Sequence, residues 1–223
     1  MKLDDLAVRF ETDKSSLVHN YTERYEVHFA PMRNEPLRIL ELGIQSGASL
    51  KMWKAFFTRS HIFGLDIKDS RIFDEQRITT IKGSQTDVLL LEQISERYGP
   101  FDVIIDDASH HSRATQLSFD TLFPLLNKGG FYVIEDLHCC YWPEFSNGYS
   151  FIERIKELID CTNANGKVGN ANLKTTNSDR LFIENVKNGN SLTEYESSIE
   201  AMYLYRGIAF IKKMAYDFPV RQF

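Results

Sequence analysis

Short β-rich apolar runs recur between residues 37 and 134, and amphipathic segments lie between them. Leu37-Arg38-Ile39-Leu40-Glu41-Leu42-Gly43 reads as a buried strand ending in glycine. His61–Asp66, Arg77–Ile81, Phe101–Asp106 and Phe131–Ile134 repeat the pattern. Ser49 to Phe57 carries Leu50, Trp53 and Phe57 at helical spacing. Thr86 or Asp87 caps a second helix whose Leu90, Leu91 and Ile94 face inward. Ala114, Leu117, Thr121, Leu122 and Leu125 mark one face of a third, and Ile152, Ile155, Leu158 and Ile159 a fourth. Nearly continuous apolar strands alternating with helices predict an α/β fold, a doubly wound, mostly parallel sheet covered on both faces.

The remaining segments attach to that sheet. Residues 1–36 are polar and aromatic and are expected to form helices at its edge or over a bound cofactor. Residues 162–193, rich in Asn, Gly, Thr and Lys, read as a long substrate loop or lid. Ile199–Tyr205 and Ile208–Ile211 flank Arg206-Gly207 as a C-terminal antiparallel hairpin. A chain of 223 residues with 43% hydrophobic content suits a single domain spanning 1–223. A net charge of −5 argues against a nucleic-acid surface. No apolar run reaches the roughly eighteen residues of a membrane span. Three cysteines without metal-type spacing leave a reducing cytoplasm as the expected compartment. Vicinal Cys139 and Cys140 read as packing.

The chemistry-bearing residues gather at the ends of the strands. Glu41-Leu42-Gly43-Ile44-Gln45-Ser46-Gly47 is a tight turn whose glycines let backbone approach a ligand. Gln45 interrupts the dinucleotide fingerprint, so a dehydrogenase is disfavoured. An acid before the first glycine, with Asp66 ending the next strand to accept from ribose hydroxyls, suits a nucleoside without phosphates. That pattern points to S-adenosylmethionine. Asp106-Asp107 ends the fourth strand and Glu135-Asp136 follows the fifth. Neighbouring strands would bring Asp107, Glu135 and Asp136 to one spot, where three carboxylates need a positive partner. An all-oxygen set suits Mg²⁺, although acids at strand ends also cap helices or stay solvated. His110 is positioned as a general base, a role worth about 10²–10⁴-fold in rate, with His111 and His138 as competitors.

With these motifs in view, the chain resembles the Mg²⁺-dependent, S-adenosylmethionine-dependent sugar O-methyltransferases of the macrocin and mycinamicin type. The resemblance rests on TDKSS followed by His19 and Tyr21, ELGIQSGASL, GLDI, GSQTD, YGPFDVIIDDASHH, LFPLLNKGGFYVIEDL, Tyr141-Trp142 and YRGIAFIKK. Ala108 and Glu11 stand where that family usually has glycine. The resemblance implies a Rossmann-like class I methyltransferase. It implies Asp107, Glu135 and Asp136 as metal ligands and His110 as the base. Glu41, Gly43, Ser46, Gly47, Asp66, Ser84, Gln85 and Asp106 would form the S-adenosylmethionine site. The implied acceptor is a small molecule, a sugar or glycoside, and a homo-oligomer is left open. A methyltransferase of a non-sugar diol and a non-catalytic cofactor-binding subunit are the competing readings.

Overall fold

The computed structural model describes residues 1–163 and 193–216. Two helices, α1 (Leu3–Arg9) and α2 (Thr22–Phe29), precede the first strand. There follow β1 (Arg38–Leu42), α3 (Ala48–Phe56), β2 (His61–Asp66), β3 (Ile78–Lys82), α4 (Val88–Tyr98), β4 (Val103–Asp106), α5 (Ser112–Leu122) and β5 (Phe131–Ile134). A short α6 (Pro143–Ser146) and a longer α7 (Phe151–Thr162) come next. The hairpin β6 (Ile199–Tyr205) and β7 (Ile208–Lys213) closes the described chain.

The seven strands lie in the order β3-β2-β1-β4-β5-β7-β6. The first five are parallel, and β7 runs antiparallel to both β5 and β6. β1 pairs with β2 on one side and β4 on the other, so the winding reverses there. Ligands of doubly wound sheets bind outside the carboxyl ends of the strands at such a reversal.

Side chains alternate across a strand, and this sorts the core into two layers. Ile39, Ile105 and Val133 pack with Tyr25, Phe29 and Trp53 beneath α1, α2 and α3. Leu40, Leu42, Ile104, Tyr132 and Ile134 pack with Leu91, Phe119 and Leu158 beneath α4, α5 and α7. Both faces of the parallel strands are therefore buried, as the continuous apolar runs predict.

Three local expectations are corrected or sharpened. The inward face of α5 is Thr115, Ser118, Phe119 and Leu122, whereas Leu125 lies exposed beyond the helix. Apolarity alone misplaces that face, because Ser118 turns inward to donate to Asp106. On α7 the buried residues are Phe151, Ile155 and Leu158, and Ile159 is exposed. Asp87, rather than Thr86, caps α4 by accepting from Leu90 N at 3.1 Å. Cys139 and Cys140 are buried, as packing residues should be. The expected loop over 162–193 lies almost wholly outside the described residues. Among the described residues, no helix is long and apolar enough to cross a membrane.

Candidate active site

A cavity of about 710 Å³ opens at the carboxyl edge of β1, β2 and β4. One wall is the turn after β1. Gly43 has φ +82°, and a Cβ there would lie 2.3 Å from the carbonyl oxygen of Asp107. Only glycine lets the turn press so closely against the loop that carries the acids. Asp66 braces the same turn: its Oδ2 accepts from Ile44 N at 3.1 Å and Gln45 N at 3.2 Å. Its Oδ1 accepts from Lys68 N at 2.9 Å. Ser46, Asp66, Ser84 and Gln85 all line the cavity. Gln85 ties the loop after β3 to the loop after β4, accepting from Ser109 N at 2.9 Å and donating to Asp106 Oδ1 at 3.1 Å.

Four of the expected site residues lie off the cavity wall. Glu41 is buried beneath β1, where its oxygens accept from Ser49 Oγ at 2.7 Å and Trp53 Nε1 at 3.3 Å. Asp106 faces the opposite layer and accepts from Ser118, Gln85 and Tyr132. Gly47, at φ +72°, starts α3 against the ring of Phe73. Glu135 is buried, and its contacts follow from strand parity. Asp106 pairs with Ile134, so the next residues, Asp107 and Glu135, project together into the layer beneath α2. Glu41 projects into the same layer.

A lysine that sequence reasoning missed occupies the space among them. Lys14 is 1% exposed, and its Nζ lies 2.5 Å from Asp107 Oδ2, 3.0 Å from Glu135 Oε2 and 3.6 Å from Glu41 Oε1. Tyr25 donates to the other oxygen of Glu135. Burial opposes the Lys14 charge, yet Asp107, Glu135 and Glu41 outweigh it and hold its pKa well above the usual lysine value. Burial pushes Glu41 up to about 7 and raises Asp107 and Glu135, while Lys14 pulls all three down. The available signal was TDKSS itself: a parity count puts three acids in one layer, which requires a cation from somewhere in the chain.

Asp136 leaves the strand in a left-handed conformation, φ +53°, and turns to the cavity. Tyr21 donates to its Oδ1 at 2.7 Å. Its Oδ2 lies 3.6 Å from His110 Nε2. Ligand atoms of Asp107, His110 and Asp136 all fall within 4.8 Å of one another, close enough to share one cation. His111 instead faces Phe145, at 5.1 Å between ring centroids, and His138 Nδ1 stands 4.0 Å from Asp136. The structure thus brings His110, rather than His111, to the acids.

Sequence comparison adds an independent line. The chain is 37% identical over 226 residues to mycinamicin VI 2''-O-methyltransferase of Micromonospora griseorubida, covering 95% of this chain and 52% of that protein. It is 43% identical over 172 residues to demethylmacrocin O-methyltransferase of Streptomyces fradiae, covering 71% of this chain and 44% of that protein. Over the stretch it shares with them, the chain is similar to the macrocin and mycinamicin sugar O-methyltransferases. It spans about half the length of the curated relatives it matches. The MycE methyltransferase of the mycinamycin pathway, solved with Mg and SAH, superposes with a TM-score of 0.84 at 35% identity, covering 96% of this chain and 54% of that one. A further structure of that enzyme holds Mg, SAH and mycinamycin VI, and matches with a TM-score of 0.82. No protein-family model matches the chain. The Rossmann-like fold expected of this family is the one observed.

Proposed function

We propose that this chain transfers a methyl group from S-adenosylmethionine to a hydroxyl of a sugar or glycosylated natural product, with Mg²⁺ at the acids. The observation that carries this reading is the convergence of Asp107, His110 and Asp136 on a cavity that the Asp66-braced glycine turn also lines. The relatives are named for O-methylation of glycosides, and the MycE structures hold Mg and SAH.

The residues present fit both groups. The cavity lies within the usual range for small-molecule sites, roughly 300–1,000 Å³. Asp66 stands at the end of β2 with its carboxylate on the cavity wall, suited to ribose hydroxyls. The carboxylates of Asp107 and Asp136, with oxygens within 4.8 Å of one another, are hard donors suited to Mg²⁺, and His110 stands beside them as the base. Glu135, beside Asp107, completes the acidic character of the site. Bound Mg²⁺ would supply positive charge that fixes an acceptor hydroxyl and lowers its pKa.

The chain's own side chains do the rest. His110 Nε2 accepts the hydroxyl proton as the oxygen attacks the methyl carbon, and the methyl–sulfur bond breaks, its electron pair leaving with the sulfur as neutral S-adenosylhomocysteine. Asp136 Oδ2, 3.6 Å from that nitrogen, favours the positive charge the imidazole gains, and Tyr21 fixes Asp136. The Glu41–Ser49–Trp53 bonds stiffen β1 and α3 around the turn, so the reacting groups are held in line. Cys139 and Cys140 are buried thiols not joined in a disulfide, which suits a cytoplasmic setting. The testing experiment is binding calorimetry with S-adenosylhomocysteine and with NAD. Binding of the first and not the second is expected; the reverse would overturn the cofactor assignment.

A further inference from the structure

Lys14 is built into the fold with unusual support. Its backbone carbonyl accepts from Tyr21 N at 3.0 Å and Thr22 N at 3.1 Å. Asp4, on α1, anchors the same loop by accepting from Ser16 N at 2.7 Å, Ser16 Oγ at 2.6 Å and Thr22 Oγ1 at 2.8 Å. The N-terminal segment then delivers donors to every acid of the site: Lys14 to Asp107 and Glu135, Tyr25 to Glu135 and Tyr21 to Asp136. Lys14 alone carries charge, and it meets buried Glu41 and Glu135 and the partly exposed Asp107 at the floor of the cavity.

We propose that Lys14 is the resident counter-cation of the carboxylate cluster, a positioning residue that keeps Asp107 and Glu135 aimed before any divalent cation arrives. One ammonium faces three carboxyl groups, Glu41, Asp107 and Glu135, and Asp136 lies beside Asp107, so the acids outnumber the cation that pairs with them. The cluster is thereby held together yet remains attractive to a dication. Removing the ammonium leaves the acids uncompensated, a change that is strongly destabilising when charges are buried. A dication would then replace the missing charge, so stability becomes dependent on it. This inference rests on the proposed cation site at Asp107 and Asp136.

The test is thermal unfolding of the full chain, in metal-free buffer and across a Mg²⁺ titration, for wild type, Lys14→Met and the double variant Lys14→Met/Glu41→Gln. Each sample is also measured with S-adenosylhomocysteine. Without metal, Lys14→Met should melt roughly 10 °C below wild type. Its Mg²⁺-induced rise in Tm should be about twofold or more that of wild type, because the uncompensated site gains more from a dication. Glu41→Gln in the same chain removes one excess charge and should restore much of the metal-free Tm, which loss of packing alone would not allow. A Mg²⁺ response in wild type that is unchanged in Lys14→Met, or a double variant no more stable than the single, would overturn the role of Lys14. If Lys14→Met does not fold, a folded double variant supports the proposal and an unfolded one contradicts it. Absence of any Mg²⁺ response in wild type would instead remove the cation site itself. Loss of the S-adenosylhomocysteine response in wild type would strike only the cofactor assignment.

Discussion

The hydroxyl of Tyr21 donates to Asp136 Oδ1 at 2.7 Å and also contacts the carbonyl oxygen of Gly207 at 3.3 Å. One phenol therefore joins the N-terminal segment, the acid after β5 and the tip of the C-terminal hairpin. Gly207, at φ +80°, is required there because a Cβ would lie 2.6 Å from that hydroxyl. With one oxygen of Asp136 tied back, the other is left facing His110.

Tyr21→Phe should keep the fold but release Asp136. Partners that orient metal ligands typically contribute about 10–100-fold in affinity or activity. Mg²⁺ affinity, read from calorimetry, should fall within that range. An unchanged affinity would mean that Asp136 is held adequately by its own backbone.

Asp66→Ala removes the acceptor for Ile44 N, Gln45 N and Lys68 N at once. The glycine turn should loosen, and S-adenosylhomocysteine should bind about tenfold more weakly or worse, since a lost charged acceptor costs roughly 1.5–3 kcal/mol. The Mg²⁺ response should persist, because Asp66 lies apart from the acids that converge on His110. Full retention of cofactor affinity would remove Asp66 from that site.

Asp106 is buried among Ser118, Gln85 and Tyr132, and burial pushes its pKa up to about 6. The folded chain then holds this proton more tightly than the unfolded chain, whose Asp titrates near the usual 3.8. The stabilisation from the protonated form is complete below about pH 4 and is lost as pH rises through about 6. Wild type should therefore lose up to about 3 kcal/mol relative to Asp106→Asn between those values, and no more above them. Urea unfolding of both proteins at stepped pH measures this; a difference that stays flat contradicts it.

The doubly wound sheet with both faces covered follows from features plain in the sequence. Apolar runs such as FDVIID and FYVI, too short for helices and rich in β-branched and aromatic residues, read as strands buried on both faces, and the helical spacing between them supplies the crossovers. The pairing of Asp107 with Glu135 was also readable, because both follow the ends of adjacent strands. What escaped sequence reasoning depends on where polar side chains point. Lys14 lies in a polar loop with no periodicity, and a buried ammonium is the least expected residue in such a place. Glu41 looked like a ligand contact, but strand alternation sends it beneath the sheet to Ser49 and Trp53. Ser118 hid the inward face of α5 in the same way, since its hydroxyl serves Asp106 rather than water.

Asp107 and Asp136 would hold a cation beside His110, where its charge would make an alcohol acidic enough for methylation. The most direct test is the initial rate of label transfer from S-adenosyl-[methyl-³H]methionine to a panel of glycosylated macrolides and rhamnosides. Rates are measured before chelation, after it and after Mg²⁺ is restored, for wild type, His110→Ala and His111→Ala. Transfer should vanish on chelation and return with Mg²⁺. It should fall about 10²–10⁴-fold in His110→Ala and far less in His111→Ala. Transfer that continues undiminished after thorough chelation, or equal small losses in the two histidine variants, would contradict the account.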